Sequence, residues 1–384
     1  MKRTRSRSKK SAALAETPVV SQPIPPAISF WPLFWKASFL SLGIAAVMLL
    51  ITTVIFGLWG YSRFRQFLTA AGISQAEFIS QITSGWQIEP ISSNGYKNLL
   101  MLGTDSTTER GDVPPLTDTM MLVSLDLKQG AINTLPLPRD LWNEGYQTKI
   151  NALLAYGYER SPDNPQQFPQ AVIGEMTQVP IHHVVVLSLD QLKTLIDLIG
   201  GVEVTVKQGF IDTQYPRAGV DITTERDPTV LYETISFEVG EQTLTGERAM
   251  QYIRSRHSED EQGHDLARGA RQQQVIEAVI AKLTNPKLLI TQPKLAGGVF
   301  RFYQENFGQV LPLPELVSTA KALLRAENPI TFQSFQLLDI DDDSTNGVID
   351  NPPISRAYQN QWVYIIPDQE KFESQIQQAF FSQN

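Results

Sequence analysis

The chain has 384 residues, 42% hydrophobic and 19% charged, so it carries enough apolar side chains for packed cores and is neither a disordered nor a fibrous protein. It contains no cysteine, which excludes disulfide frameworks, thiol nucleophiles and cysteine-ligated metals. The net charge of −8 is unevenly spread: residues 1–36 hold seven basic side chains against Glu16, and the rest holds 25 basic and 39 acidic ones, a surface too acidic for general nucleic-acid binding.

Residues 1–36, basic and rich in Ser, Pro and Ala, read as a disordered tail. Ala37–Gly60 is 24 residues without a charge, long enough as a helix to cross a hydrocarbon core of about 30 Å. Trp31, Phe34 and Trp35 before it, and Trp59 and Tyr61 after it, suit the two membrane interfaces. Only Arg63 and Arg65 follow closely, so the charge asymmetry predicts a cytoplasmic tail and an exported remainder.

Residues 61–95 read as a connector with an amphipathic helix, ended by Ser-Ser-Asn-Gly at 92–95. KNLLMLG (97–103), DTMMLVSLD (118–126), AINTLPL (131–137) and HHVVVLS (182–188) read as strands, and the apolar run of the fourth predicts cover on both faces. DQLKTLIDLIGG (190–201) reads as an amphipathic helix stopped by Gly200-Gly201, with the strand VEVTV at 202–206. LTGERAMQYIR (244–254) reads as a helix with Thr245 as N-cap. A further helix is expected over 265–284, burying Val275, Ile276, Val279, Ile280 and Leu283. Beyond Pro286, VSTAKALLRA (317–326) reads as a helix, and TFQSFQLLD (331–339) and WVYIIP (362–367) as strands. The alternation predicts the α/β class: a central mixed β-sheet flanked by α-helices, preceded by one transmembrane helix. Residues 96–285 form the expected working domain, with 286–384 as a C-terminal extension packed on it.

Charged residues gather at the predicted element ends. Asp105 follows the first strand and Asp118 opens the second. Two carboxylates at neighbouring strand ends suit a hard divalent cation, which takes one or two carboxylates plus phosphate oxygens. Taken alone, each aspartate reads more simply as a turn cap. Arg139 follows the third strand, Arg254 and Arg256 lie two apart, and Asp265, Arg268 and Gln272 share one face near a helix N-terminus, with Arg271 beside it. Guanidinium groups gathered this way in an acidic domain suit an anion, which they bind bidentately. Pyrophosphate with Mg²⁺ satisfies the whole set.

The same residues carry a resemblance. NLLMLGTDS, TDTMMLVSLD, LPLPRDLW, KINALLAYG, LIGGVEV, LTGERAMQYIRSRH and RQQQVIEAVIAKL, in this order over residues 95–285, resemble the LytR–CpsA–Psr family. The resemblance implies a phosphotransferase of the bacterial cytoplasmic membrane. Its partners would be a polyprenyl-pyrophosphate-linked glycopolymer, a peptidoglycan acceptor hydroxyl and membrane lipid, with no nucleic acid. It implies Mg²⁺ (or Mn²⁺) at Asp105 and Asp118, either of which is also a candidate base, and places Arg139, Arg254, Arg256, Arg268, Gln272 and the basic Lys149 on the pyrophosphate. Arg139 is also grouped with the two aspartates as catalytic. The family usually has Arg two residues before the second aspartate, where this chain has Leu116: either Arg110 in the preceding loop supplies that charge, or phosphate binding is weaker here, or the substrate differs. Asp265 and Arg271 are further candidates for the site. Leu153, Leu154, Tyr156, Val184, Val186, Leu192 and Leu195 suit an apolar slot for the polyprenyl chain and suit ordinary core equally.

Three other readings compete: a pyrophosphatase on the same carrier, a non-enzymatic membrane-anchored regulator, and a polysaccharide-binding protein without turnover. His182 and His183 read as packing residues, His257 and His264 lack a third zinc ligand at a recognisable spacing, and LDIDDDSTNG (338–347) reads as a solvated acidic turn.

Overall fold

The computed structural model describes residues 30–105, 114–217, 220, 226–256, 258, 265–283, 285, 287, 291–340 and 346–381, and of 30, 32, 33, 37 and 265–269 the backbone. The chain forms two units, divided between Tyr61 and Ser62. The first is built on α1 (Phe30–Ala71), a 42-residue helix that reaches beyond the expected 37–60 span at both ends. From Phe34 its mean hydropathy reaches 2.5, and it is long and apolar enough to cross a membrane. Thr52 and Thr53 turn their hydroxyls onto the Met48 and Leu49 carbonyls at 2.9 and 2.8 Å, so neither offers an unpaired donor to an apolar surrounding.

In the second unit the last turns of α1 pack Phe64, Phe67, Leu68 and Ala71 against Ile73, Phe78 and Phe300. Ser74 caps α2 (Gln75–Gln87), its hydroxyl accepting the Glu77 N–H at 3.2 Å. Next come β1 (Tyr96–Thr104), β2 (Thr117–Asp126) and β3 (Ala131–Leu137), paired antiparallel in that order. Asp126 closes the β2–β3 turn by accepting the N–H groups of Lys128 and Gln129 at 2.9 and 2.8 Å. A short hairpin, β4 (Trp142–Asn143) and β5 (Thr148–Lys149), leads through a 3₁₀ turn at Ile150–Ala152 into α3 (Leu153–Arg160) and α4 (Gln167–Thr177).

β6 (His183–Ser188) runs parallel to β1 and feeds α5 (Leu189–Leu198), which opens with a Ser188/Gln191 capping box. The second half adds β7 (Val202–Val206), β8 (Phe210–Pro216), the single turn α6 (Pro228–Leu231), β9 (Tyr232–Phe237) and β10 (Gly240–Leu244). Here β7 pairs with β10 and β8 with β9, both antiparallel. The helices α7 (Gly246–Arg254), α8 (Asp265–Leu283), α9 (Pro293–Asn306) and α10 (Leu313–Leu324) follow among the described residues. β11 (Thr331–Ser334) and α11 (Gln369–Phe381) complete the fold.

The main sheet has the order β11-β3-β2-β1-β6, mixed as the alternation predicts. Strand alternation sorts its faces. Leu100, Leu102, Met120, Leu122, Leu135 and Leu137 point to one face, buried under Ile150, Leu153, Leu154, Val172, Ile173 and Met176 and under Phe372, Ile376 and Phe380. The last hundred residues thus do more than pack on the domain: α11 roofs its core and β11 extends its sheet. A second core joins α5, α7, α8 and α9 to the β7–β10 strands around Ile196, Val202, Phe237, Ile253 and Val275. The opposite sheet face is less covered: Leu99, Met121 and Val123 are half-buried and Met101 is 38% exposed. β6 departs from expectation. It is an edge strand with only Val184 buried, because its apolar run meets a helical layer on one face and the half-open face on the other.

Gly246 opens α7 against α5, donating its N–H to Asp197 Oδ1 at 2.7 Å. A Cβ there would stand 2.4 Å from the Lys193 carbonyl oxygen. Gly246→Ala is therefore expected to lower the unfolding free energy by about 1–3 kcal/mol through forced separation of the helices. The measurement is the urea midpoint at unchanged slope; an unmoved midpoint would show that the two helices part freely.

Candidate active site

Three strand ends meet at one end of the sheet because β2 runs against β1 and β3. Asp105 follows the last residue of β1, Asp118 is the second residue of β2, and Arg139 lies two residues past β3. Gly103 pairs with Thr119 and Thr104 with Thr117, so Asp118 is the extra residue of a β-bulge. A bulge re-aims the side chain it carries. Here the Asp118 carboxylate receives Arg139, with Nη1 to Oδ1 at 2.6 Å.

The charges continue outward as an alternating chain. Arg139 Nε lies 3.4 Å from Asp140 Oδ2, and Lys149 Nζ donates to Asp140 Oδ1 at 2.6 Å. Burial works against the Arg139 charge, but Asp118 and then Asp140 outweigh it and hold the guanidinium above its ordinary pKa. Backbone bonds fix the frame: Asn151 N–H donates to the Arg139 carbonyl at 3.1 Å, and the Thr117 hydroxyl to the Asn151 carbonyl at 3.0 Å. On the neighbouring strand Asp105 Oδ1 lies 4.0 Å from Arg254 Nη2, at the end of α7. Thr119 Oγ1 lies 3.4 Å from Gln272 Oε1, bringing α8 over the half-open face. Arg139, Asp118, Lys149, Arg254 and Asp105 all remain 18–31% exposed at the side chain, open to a ligand yet partly desolvated.

The sequence candidates thus separate into groups. Asp105 with Arg254, and Asp118 with Arg139 and Lys149, share one end of the sheet, and Gln272 reaches Thr119 beside them. Arg256 is exposed, two residues past Arg254, with its N–H on Asp212 Oδ2 at 3.2 Å. Asp265 and Arg268 lie in the first turns of α8, but their side chains fall outside the described residues, as does Arg110 altogether.

Arg271 belongs elsewhere. It is 3% exposed, donates from Nε to the Tyr252 carbonyl and from Nη2 to the Ser255 carbonyl, both at 2.7 Å, and lies 4.8 Å from the Phe210 ring centroid. Its charge braces the end of α7 from beneath instead of facing an anion. The apolar-slot candidates also divide: Leu153, Leu154 and Val184 are in the first core and Leu192 and Leu195 in the second, so they do not line one slot.

Sequence reasoning passed over Asp140 and Asp212. Asp140 stands in the quoted LPLPRD, and its signal was an acid directly after Arg139 and nine residues before Lys149. Asp212 is fully buried and accepts from the Ser255 hydroxyl at 2.7 Å, a long-range bond with no local sign in the sequence.

His182 accepts the Asn98 N–H on Nδ1 at 2.9 Å, and burial pushes its imidazole below the ordinary histidine range. With Nδ1 an acceptor, Nε2 carries the proton towards Ser93 Oγ at 3.0 Å, which leaves no base to activate that serine. No cluster of three His, Cys, Asp or Glu suited to a metal occurs among the described residues.

The LytR_cpsA_psr family matches residues 67–376. A relative from Bacillus cereus, polyisoprenyl-teichoic acid–peptidoglycan teichoic acid transferase TagU, is 29% identical over 198 residues, 50% of this chain and 55% of its own. TagV of Bacillus subtilis, of the same description, is 27% identical over 206 residues, 52% of this chain and 46% of its own. The chain spans about half the length of the curated relatives it matches. Among solved structures, B. subtilis TagV is 20% identical with a TM-score of 0.47, covering 75% of this chain and 98% of that one. TagT with bound octaprenyl pyrophosphate lipid is 20% identical with a TM-score of 0.43, covering 77% and 94%. With a match that begins in the last turns of α1 and ends in α11, the chain belongs to the LytR–CpsA–Psr family.

Proposed function

We propose that the chain is a single-pass membrane enzyme that transfers a glycopolymer from a polyprenyl-pyrophosphate carrier to a peptidoglycan hydroxyl, with its tail in the cytoplasm and its second unit outside. The observation that carries this reading is the meeting of Asp105, Asp118, Arg139, Lys149 and Arg254 at one end of one sheet. The names of the relatives, transferases between a polyisoprenyl-linked teichoic acid and peptidoglycan, support it.

Asp105 and Asp118 are the oxygen donors that would hold Mg²⁺ or Mn²⁺. Two carboxylates from adjacent strands, with no third acid or imidazole grouped beside them among the described residues, fit an ion that completes its shell with water and phosphate. Bound there, the ion supplies positive charge to phosphate oxygens. The protein's own part is positioning and electrostatics. An arriving diphosphate competes with Asp118 for the Arg139 fork and meets Arg254, Lys149 and the exposed Arg256 around it. Arg268, in the first turns of α8, joins the same set in this reading. These cations neutralise charge developing on the leaving polyprenyl phosphate. Asp105 or Asp118 takes the proton of the attacking hydroxyl. The polyprenyl chain runs along the half-open sheet face, where Leu99, Met101, Met121 and Val123 lead away from Gln272.

Two measurements test this reading. Mass spectrometry of lipid retained by the purified full chain is expected to find polyprenyl phosphate or pyrophosphate, lost from Arg256→Ala and Arg268→Ala; equal retention by all three refutes the site. Turnover of a lipid-linked donor is expected to require acceptor and to fall about 100-fold on chelation, with recovery on added Mg²⁺. Phosphate release without acceptor would identify a pyrophosphatase, and binding without turnover a non-enzymatic role.

A further inference from the structure

Asp140 lies inside this cationic cluster without being placed to receive an anion. Its two carboxylate oxygens are taken by two different cations, Oδ1 by Lys149 at 2.6 Å and Oδ2 by Arg139 Nε at 3.4 Å. Its side chain is 16% exposed. Its backbone is pinned as well: the Asp140 carbonyl accepts the Tyr364 N–H at 3.0 Å, and Trp142 N–H returns to the Tyr364 carbonyl at 2.7 Å. Through these bonds the C-terminal segment holds the Pro138–Trp142 stretch against the sheet. Among the described residues Lys149 makes no other ion pair, and a lysine ammonium on a four-carbon stem keeps no fixed position unless something holds it. Arg139 is gripped from two sides, Nη1 by Asp118 and Nε by Asp140, which turns the remaining edge of its fork outward.

We propose that Asp140 is a positioning residue for diphosphate recognition: it holds Lys149 and Arg139 in the posture that receives the pyrophosphate, while touching no substrate itself. This rests on the diphosphate reading given above. Two effects of opposite sign are at stake. As a negative charge near the site, Asp140 repels the anion and weakens binding. As an anchor for two cations, it strengthens binding by removing their conformational freedom beforehand. The proposal is that anchoring wins.

Asp140→Asn separates the two. The amide has nearly the same shape, but one of its two polar atoms becomes a donor facing a donor, so either Lys149 or Arg139 loses its partner. The experiment is calorimetric titration of the full chain in detergent with inorganic pyrophosphate. Asp140→Asn is expected to bind roughly tenfold more weakly than the parent, the size of a lost charge-assisted hydrogen bond. In a Lys149→Ala background the same substitution is expected to reverse sign and tighten binding, since the amide oxygen then serves Arg139 and only the repulsion is removed.

A purely structural role predicts equal weakening in both backgrounds together with a lowered unfolding midpoint, and that result overturns the proposal. Equal or tighter binding by Asp140→Asn in the parent background overturns it too, while leaving the site assignment intact. Failure of the parent chain to bind pyrophosphate refutes the diphosphate reading and this inference together.

Discussion

Arg139→Ala is expected to lower glycopolymer transfer by about 10²–10³-fold, the range seen when one preorganised group that stabilises developing charge is removed. Two consequences of the substitution act in the same direction. It deletes the guanidinium that would neutralise the leaving phosphate. It also frees Asp118, whose Oδ1 the arginine holds at 2.6 Å, and the unpaired carboxylate then repels the diphosphate. Arg139→Lys restores a charge but not the fork that meets Asp118 and Asp140 at once. It is expected to recover no more than about a tenth of the lost rate, since each lost charged hydrogen bond alone is worth about tenfold. Fold stability should change little. The Arg139 side chain is 27% exposed, and surface ion pairs contribute on the order of 0–1 kcal/mol. The decisive comparison is therefore initial rate against urea midpoint for the parent, Arg139→Ala and Arg139→Lys. Arg139→Ala turning over within threefold of the parent would remove Arg139 from the catalytic set.

The strand ends that build this site were legible because each apolar run stops at a charged residue: KNLLMLG before Asp105, AINTLPL before Arg139. Antiparallel pairing then forces those ends together, so an α/β reading with a mixed sheet already implied a shared rim. What stayed hidden depends on register and on distant partners. The bulge that re-aims Asp118 is a mismatch between two strands and leaves no mark in either one. Arg268 and Arg271 look interchangeable in RGARQQQ, yet Arg271, Val275 and Val279 recur every fourth residue, and the two valines are buried. That stripe placed Arg271 on the core side of α8, and only the attraction of a basic cluster argued otherwise. β6 misled for a different reason: an apolar run reports contact with nonpolar neighbours, not a central place in a sheet. α11 went unread because its glutamine-rich sequence hides Phe372, Ile376 and Phe380 at helical spacing, a pattern that gains meaning only against the uncovered sheet.

The largest stability effect is expected far from the chemistry, at the other end of β1. Lys97, with its side chain 2% exposed, is bonded to Glu315 in the first turn of α10, and His183 Nε2 lies 2.6 Å from the same carboxylate oxygen. Burial pushes the Glu315 carboxyl up, but the Lys97 and His183 contacts together outweigh it and leave the group below the ordinary glutamate range. Burial, with Glu315 adding to it, pushes the neighbouring Tyr303 hydroxyl up to about 12.

Lys97→Met keeps the volume and removes the charge, leaving a buried carboxylate without its main partner. The expected loss is about 3–5 kcal/mol, which in a chain of this size lowers Tm by roughly 10 °C. Adding Glu315→Gln should recover at least half of it, because the amide is neutral and still accepts from His183. The pH dependence follows from the direction of the Glu315 shift. A carboxyl whose folded pKa lies below its unfolded value of about 4.3 contributes fully above that value, and the contribution is lost as pH falls through the lower folded one. The parent's stability should therefore decline in this acid window. In Lys97→Met, where burial is less opposed, the folded pKa rises towards or above the unfolded one, so this decline should shrink or reverse, and the double variant should lose that component. Because Lys97 and Asp105 lie at opposite ends of β1, transfer measured well below each variant's own Tm should match the parent. Loss of transfer without loss of stability in Lys97→Met would mean that this buried triad governs the site and not the fold.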